Sequence, residues 1–274
     1  MKNSLELFIP STGRAALQTT IFALPEPWQR VTTVVVYAHE RRAYVETVPP
    51  WVTVKAVPER VQRIGMKRQW IVEQAQGPKI CMLDDDLELL VRRSDEPAHF
   101  LAASTTDVGE MLETIERTLS ARIPHVGVCP REGGNRMLED GYCMRMCRVL
   151  AYHMSTLRGS AARFDRNPPM EDFDMTLQLL RLGHPNKVLH LWAHGQRGSN
   201  TIGGCSGYRT LKVQAETARR LARLHPGFVK AVQKTTKTAW GGATRTDVVV
   251  QWKKAYLSSG KALKRENDGI LSIY

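Results

Sequence analysis

The chain has 274 residues, of which 42% are hydrophobic and 24% are charged. These proportions are typical of a folded globular protein and exclude a disordered or low-complexity chain. The apolar runs are too short to span a bilayer and the first residues show no signal peptide, so we expect a cytoplasmic protein without a membrane partner. The length accommodates one large α/β domain with a smaller appendage.

The formal net charge of +12 is distributed unevenly along the chain. Residues 209–274 hold 14 basic and 4 acidic residues, a net charge of +10, whereas residues 1–208 hold 25 basic and 23 acidic residues, a net charge of +2. We therefore predict a catalytic domain over residues 1–208 and a basic, mainly helical extension over residues 209–274. The extension is expected to contact a polyanion, although a solvated basic face without a partner explains the same charge.

Strand and helix patterns alternate over the N-terminal third of the chain. The predicted strands cover residues 5–9, 31–38, 51–57 and 79–83, and the predicted helices cover residues 15–24 and 63–75. This alternation predicts an α/β fold with a mainly parallel sheet and crossover helices. In such sheets, ligands bind beyond the carboxyl ends of the strands.

The remaining patterns predict further elements of both kinds. A helix is expected over residues 107–121, a strand over 126–129, a loop over 131–136 and a strand over 142–150. A helix over residues 171–182 ends at Gly183, and a short strand covers residues 188–192. After Tyr208 the chain is predicted to be helical.

An acidic triplet, Asp84, Asp85 and Asp86, directly follows the strand at residues 79–83. Adjacent carboxylates repel one another, so the triplet needs a cation or a hydrogen-bond network. Asp84 and Asp86 are hard oxygen ligands of the kind that bind Mg²⁺ or Mn²⁺ together with phosphate oxygens. The alternative is an acidic turn that caps a helix.

Two further groups carry residues suited to catalysis or metal binding. Glu171 and Asp172 begin a predicted helix, where the helix dipole alone stabilises acids, but where one of them could also accept a proton from an attacking hydroxyl. His190 and His194 lie at and just after the strand at residues 188–192, and either could bind a metal. A histidine in this position is also commonly structural.

The last group of interest is basic. In the helix at residues 63–75, Gly65 would let the backbone approach a ligand, and Lys67 or Arg68 would neutralise a diphosphate. Thr12, Gly13 and Arg14 follow the first strand, at a second predicted ligand-binding edge of the sheet.

Taken together and in this order, these motifs resemble the GT-A class of glycosyltransferases over about residues 4–200. Within that class the chain is similar to the phage-encoded TET-associated glycosyltransferases, which modify hydroxymethylated pyrimidines in DNA. The resemblance implies a D-x-D metal motif at Asp84 and Asp86 and a catalytic base at Asp172 or Glu171. It also implies that a late histidine, best matched by His194, completes the metal shell.

The resemblance implies a function and a set of partners as well. The donor would be a UDP-sugar such as UDP-glucose or UDP-N-acetylglucosamine, bound with Mn²⁺ or Mg²⁺. Its expected contacts are Thr12, Gly13, Arg14, Gly65, Arg68, Asp84 and Asp85. The acceptor would be a hydroxymethylated base such as 5-hydroxymethylcytosine in DNA, inside an infected host cell.

The basic extension is the predicted DNA contact, and it leaves other functions open. Spacings of three or four residues place Lys230, Lys234 and Lys237 on one face of a predicted helix, and Lys253 and Lys254 form a second basic group. One alternative is transfer to a polysaccharide, lipid or protein. Another is a metal-dependent nuclease or nucleotidyltransferase that uses Asp84, Asp86 and Asp172.

Overall fold

A computed structural model describes residues 4–196, 203–235, 242–261, 263–265 and 271–273. The strands are β1 Leu5–Pro10, β2 Thr32–Tyr37, β3 Thr53–Val57, β4 Lys79–Leu83, β5 Leu87–Arg92, β6 Phe100–Ala102, β7 His125–Pro130, β8 Gly141–Tyr142, β9 Val149–His153, β10 Asn186–Gln196, β11 Val229–Thr235, β12 Thr244–Val250, β13 Leu263–Arg265 and β14 Leu271–Ile273. The α-helices are α1 Thr20–Ala23, α2 Glu26–Gln29, α3 Arg41–Thr47, α4 Ile64–Gln74, α5 Thr105–Thr118, α6 Arg131–Gly134, α7 Met154–Gly159, α8 Glu171–Arg181, α9 Leu211–Leu224 and α10 Trp252–Leu257. Short 3-10 turns cover Ala15–Leu17, Ala38–Glu40 and Gly204–Gly207.

A central sheet organises residues up to 196. Its strands follow the order β3-β2-β1-β4-β9-β7-β10-β5-β6, and β8 pairs with β10. β3, β2, β1 and β4 are parallel, and β7 and β10 form a second parallel pair. Since only β9, β5 and β8 run in the opposite direction, the sheet is mainly parallel, which confirms the predicted α/β class.

Strand alternation divides the core between the two faces of this sheet. In β4, Cys81 and Leu83 face the side covered by α5, whereas Ile80 and Met82 face the side covered by α4 and α8. Successive side chains of a strand point to opposite faces, so a fully apolar strand supplies both layers. The carboxyl ends of β1 and β4 therefore emerge side by side between two packed layers.

Several predicted elements differ from the structure in extent or type. The helix expected at residues 15–24 is interrupted after the 3-10 turn at Ala15–Leu17, because the backbone amides of Thr19 and Thr20 bond the Asp85 carbonyl. The strand expected at residues 142–150 splits into β8 and β9, with Cys143 and Arg148 at positive φ between them. The strand expected at residues 188–192 extends into the eleven-residue β10.

Residues 131–136 also differ from the prediction, because a short helical turn, α6, replaces the expected loop. Helix boundaries elsewhere follow local capping. Ser104 and Asp107 form a reciprocal capping box at the start of α5, and Gly183 takes a positive φ just after α8.

The described part of the C-terminal region is not mainly helical, which contradicts the prediction from the sequence. α9 and α10 flank an antiparallel hairpin of β11 and β12, called here the C-terminal hairpin. Lys230 and Lys234 therefore lie on a strand and not on a helix, since β-branched residues in β12 favour sheet pairing. Lys237 lies outside the described residues.

A third apolar cluster joins this region to α8. Leu177 and Leu180 of α8 pack with Leu221 of α9, Val248 of β12 and Tyr256 of α10. Helix α8 also packs against the central sheet. It therefore connects the C-terminal hairpin to the sheet, and its N-terminus carries Glu171 and Asp172. Over the described residues, no helix combines the length and apolar character needed to cross a membrane.

Candidate active site

A cavity of about 680 Å³ opens at the carboxyl edge of the central sheet. The ends of β1 and β4, the N-termini of α4 and α8, the end of β10 and the C-terminal hairpin all contribute to its walls. All three members of the acidic triplet line it, as do Glu171 and Asp172. Motifs that are far apart in the sequence therefore meet in a single site, whose size suits a small-molecule ligand.

Hydrogen bonds from neighbouring strands stabilise the acidic triplet. Arg14 Nη1 lies 2.8 Å from Asp85 Oδ1 and 2.7 Å from Asp86 Oδ2. Asp85 is buried and also accepts a hydrogen bond from the Ser11 hydroxyl. Gln196, at the end of β10, donates to Asp86 Oδ1 at 2.7 Å. The triplet is thus part of a network and does not cap a helix.

Arg68 connects the triplet to the start of α8. Its Nη2 lies 2.6 Å from Asp84 Oδ1, and its Nη1 lies 3.0 Å from Glu171 Oε1. Burial raises the pKa of Asp84 to about 6 although Arg68 opposes the shift. Burial, reinforced by Asp172, likewise raises the pKa of Glu171 against the effect of Arg68. The buried guanidinium is what makes the buried Glu171 carboxylate and the partly buried Asp84 carboxylate tolerable here.

Lys67 is almost fully buried beside the end of β1. Its Nζ donates to the Ser11 carbonyl at 2.6 Å and to Thr12 Oγ1 at 2.9 Å, and it lies 4.0 Å from the centre of the Tyr37 ring. Lys67, Thr12 and Tyr37 all line the cavity. This arrangement provides a fixed positive charge and an aromatic face, both suited to a nucleotide.

Glu171 and Asp172 differ in their burial and in their hydrogen-bond and ion-pair partners. Glu171 is buried and ion-paired with Arg68. Asp172 is partly exposed in the cavity, and its Oδ1 accepts the backbone amide of Phe173 at 2.9 Å. Across the described residues, no basic side chain lies within ion-pair distance of Asp172. Asp172 is therefore the better placed of the two to accept a proton from a bound hydroxyl.

Two predicted glycines have local structural roles. Gly65 does not line the cavity, and a Cβ there would lie 2.6 Å from the Phe164 carbonyl oxygen and 3.3 Å from the Glu171 Cβ. Gly65 thus permits α4 to approach the start of α8, and its approach to a ligand stays a prediction. Gly13 has a φ of +66° and donates its amide to Glu40 at 2.6 Å, which forms the turn that presents Arg14.

The structure does not bring either histidine to the triplet. Neither His190 nor His194 lines the cavity. His194 is buried, with Nε2 3.9 Å from Cys147 Sγ and Nδ1 3.5 Å from Arg148 Nη1, and burial lowers its pKa to about 3. His190 Nδ1 bonds the Val188 carbonyl at 3.0 Å. The side chain of β10 that reaches Asp86 is Gln196, two residues beyond His194, because β10 is longer than the sequence suggested.

Part of the basic extension reaches the same cavity. Lys234 of β11 and Arg245 of β12 line it, and both pair with Asp247, at 3.6 Å and 3.0 Å. Lys230 is exposed on the same strand. Lys253 and Lys254 line a second depression next to the cavity. Of the predicted contact residues within the described part of the chain, Lys234 lines the cavity and Lys253 and Lys254 line the adjacent depression, whereas Lys230 lines neither.

Several lining residues were missed by the motif analysis. They are Tyr37, Arg145, Cys147, Arg148, Phe173, Gln196, Tyr208, Arg209, Arg245 and Trp252. Most come from segments between strands or from the C-terminal region, and no local pattern singles them out. The one available signal was the position of Phe173 directly after Asp172.

The fold is that of the GT-A glycosyltransferases. Glucosyl-3-phosphoglycerate synthase from Mycobacterium tuberculosis, in complex with Mn²⁺, UDP and glucosyl-3-phosphoglycerate, has a TM-score of 0.52 and 12% identity, over 90% of this chain and 86% of that one. A mannosyltransferase from Pyrobaculum calidifontis, in complex with GDP-Man and Mn²⁺, has a TM-score of 0.50 and 12% identity, over 82% of this chain and 63% of that one.

Sequence comparison assigns the chain to a family within this fold. The model of the TET-associated glycosyltransferases matches residues 5–203, and the chain belongs to that family. No match was found among curated protein sequences. The protein is therefore a glycosyltransferase, and the family assignment does not support the nuclease or nucleotidyltransferase alternative.

Proposed function

We propose that this glycosyltransferase moves a sugar from a UDP-sugar to the hydroxyl of a hydroxymethylated pyrimidine in DNA, with the help of Mn²⁺ or Mg²⁺. The observation that carries the proposal is the meeting of the acidic triplet, Asp172 and the basic C-terminal hairpin around one cavity. The family name, which refers to enzymes of pyrimidine modification, supports a DNA acceptor.

The residues at the donor side fit a divalent cation. Asp84 and Asp86 present carboxylate oxygens to the cavity, and the Gln196 amide lies beside Asp86. In the described part of the chain, no three His, Cys, Asp or Glu side chains are grouped to hold a metal on their own. A site with one or two carboxylates, completed by substrate phosphates, is the usual arrangement for Mg²⁺. The two solved structures of similar fold named above contain Mn²⁺, which supports a divalent cation here.

Further residues that line the cavity would bind the nucleotide sugar together with the metal ion. Asp84 and Asp86 would hold the ion, and Thr12 and Arg14, which follow β1 and line the same cavity, would contact the nucleotide sugar. Lys67 would supply a fixed positive charge for the diphosphate. When bound, the ion neutralises charge that develops on the leaving diphosphate.

In the transfer step, the residues at the start of α8 act on the acceptor hydroxyl. The acceptor oxygen forms a bond to the anomeric carbon while the bond from that carbon to the diphosphate oxygen breaks, and its electron pair leaves with the nucleoside diphosphate. Asp172 takes the hydroxyl proton, since its carboxylate lines the cavity and accepts a backbone amide, and among the described residues it has no ion-pair partner. Glu171 keeps the start of α8 in place through Arg68.

The test is direct product analysis. DNA containing hydroxymethylated pyrimidines is incubated with the protein, Mn²⁺ and single UDP-sugars, and the nucleosides are then identified by mass spectrometry. A hexosylated pyrimidine nucleoside is the expected product. Melting of the protein with each nucleotide sugar identifies the donor independently, because a ligand that binds only the folded state raises the melting temperature. A donor that stabilises the protein but is transferred to glycans and never to DNA would contradict the proposed acceptor.

A further inference from the structure

A second depression, lined in part by residues of the C-terminal region, lies next to the active-site cavity. This depression of about 410 Å³, called here the outer groove, is lined by Cys143, Met144, Arg145, Gln251, Trp252, Lys253 and Lys254. Arg145 and Trp252 also line the active-site cavity. The two spaces therefore share one wall, and a ligand too large for the cavity can continue into the outer groove.

The shared wall is aromatic and cationic. Trp252 begins α10 and Phe173 lies at the start of α8, with their ring centres 5.5 Å apart at 45°. The Arg145 guanidinium lies 4.6 Å above the Phe173 ring, and this arginine is exposed. Because Phe173 directly follows Asp172, a planar group resting on this wall is on the same side of the cavity as the proposed catalytic carboxylate.

Charge differs between the outer groove and the cavity. Lys253 and Lys254 are exposed in the outer groove, whose described lining has no carboxylate. The cavity lining carries charges of both signs, because the acidic triplet and Asp172 lie among basic side chains such as Arg68 and Lys234. The outer groove therefore offers the exposed, carboxylate-free contact for a DNA phosphate backbone, and a neutral base can pass the wall into the cavity.

We propose that Trp252, Phe173 and Arg145 form a stacking platform for one pyrimidine extruded from a DNA duplex, while Lys253 and Lys254 hold its backbone in the outer groove. This inference rests on the proposed DNA acceptor. A base stacked inside a duplex is not accessible to a carboxylate that lines a cavity, so extrusion is the way to present it. Aromatic side chains stack on any base. The platform would therefore position the extruded base without recognising the DNA sequence.

Extrusion is tested with the unmodified protein and three DNA substrates of one sequence. Each carries a single hydroxymethylated pyrimidine, in a matched duplex, in a duplex with a mismatch opposite that base, or in a single strand. We expect a higher kcat/KM for the mismatched duplex than for the matched one, because less base pairing is lost on extrusion. Equal values for the two duplexes would overturn extrusion.

The platform is tested by substitution of Trp252. Trp252→Leu is expected to raise the KM for all three substrates by about tenfold or more, whereas Trp252→Phe retains most activity. Trp51→Leu is the matched control, since Trp51 is 39% exposed and lines neither the active-site cavity nor the outer groove. This control should leave the KM for DNA and the hydrolysis of the UDP-sugar without DNA unchanged. A Trp252→Leu protein with normal KM would overturn the platform.

Two results separate this inference from the function on which it rests. Donor hydrolysis without transfer to any of the three substrates contradicts the DNA acceptor itself. Transfer that responds neither to the mismatch nor to Trp252→Leu contradicts only the platform. Because Trp252 packs against the third apolar cluster, melting temperatures are measured for each variant, and the duplex comparison needs no variant at all.

Discussion

Asp84 and Glu171 bind the two terminal nitrogens of a single guanidinium, that of Arg68, at 2.6 Å and 3.0 Å. Asp84 belongs to the acidic triplet and Glu171 begins the helix that carries Asp172. The side chains of Arg68 and Glu171 are only 4% and 5% exposed, so solvent screens their contact weakly, whereas the Asp84 side chain is 25% exposed. The proposed donor and acceptor sides are therefore held at a fixed separation by one buried cation.

The first prediction concerns this bridge. Arg68→Met leaves the buried Glu171 and the partly buried Asp84 without their counter-charge and should destabilise the fold by about 3 kcal/mol or more, mostly through the buried pair with Glu171. Denaturant unfolding measures the change. Arg163→Met is the control, because Arg163 is half exposed and its pair with Asp165 should contribute less than about 1 kcal/mol. Equal losses in the two variants would show that Arg68 has no special structural role.

A second prediction addresses the metal. Asp86→Ala should lower turnover by about a hundredfold or more, as expected for the loss of a group that stabilises developing charge. Its melting temperature should change little, because Arg14 keeps its ion pair with Asp85 when Asp86 is removed. Asp95→Ala, at an exposed acid, is the control. Full activity of Asp86→Ala, or of the unmodified protein in excess chelator, would contradict the metal role.

The third prediction separates Asp172 from Glu171. Asp172→Asn should reduce kcat and leave the melting shift with the UDP-sugar unchanged, since it removes a group that acts in the transition state. Glu171→Gln should instead lower the free energy of unfolding, because it removes the partner of Arg68. Initial rates and melting curves are measured for both variants. Normal kcat in Asp172→Asn would exclude it as the base.

DNA contact by the outer groove leads to a fourth prediction. Replacing Lys253 and Lys254 with Ala should reduce the slope of log affinity against log salt by about 2 for duplex DNA, because each contact releases about one counterion. Binding is measured by fluorescence anisotropy at several salt concentrations. The Arg42→Ala, Arg122→Ala double variant removes the same charge from exposed positions outside both cavities. The same slope in both double variants would remove the outer groove from the DNA site.

The fifth prediction concerns acid stability. Burial lowers the pKa of His125 to about 3, and its Nε2–H donates to the His184 carbonyl. The unfolded chain takes up this proton near pH 6.5 and the folded chain only near pH 3, so stability falls as the pH drops through this window. His125→Gln should show a shallower loss between pH 6.5 and pH 4.5 in urea titrations. An identical pH slope in the variant would show that His125 already titrates normally.

The parallel strands and the acidic edge of the sheet could be predicted from the chain alone. Apolar runs such as β4 are buried on both faces, so their composition identifies them without any partner. The triplet and the Glu171-Asp172 helix start are local patterns, and both lie in the cavity as expected. Consecutive residues carry these signals, which is why spacing alone was enough to find them.

Only the tertiary structure decided which side chains meet at the site. Gln196 replaces His194 beside Asp86 because β10 continues past the predicted end, paired with β5. Trp252 and Lys234 reach the cavity because the C-terminal hairpin packs on α8, where β-branched pairing prevailed over helical spacing. Contacts between segments so distant in sequence depend on strand register and helix packing, which no local pattern encodes.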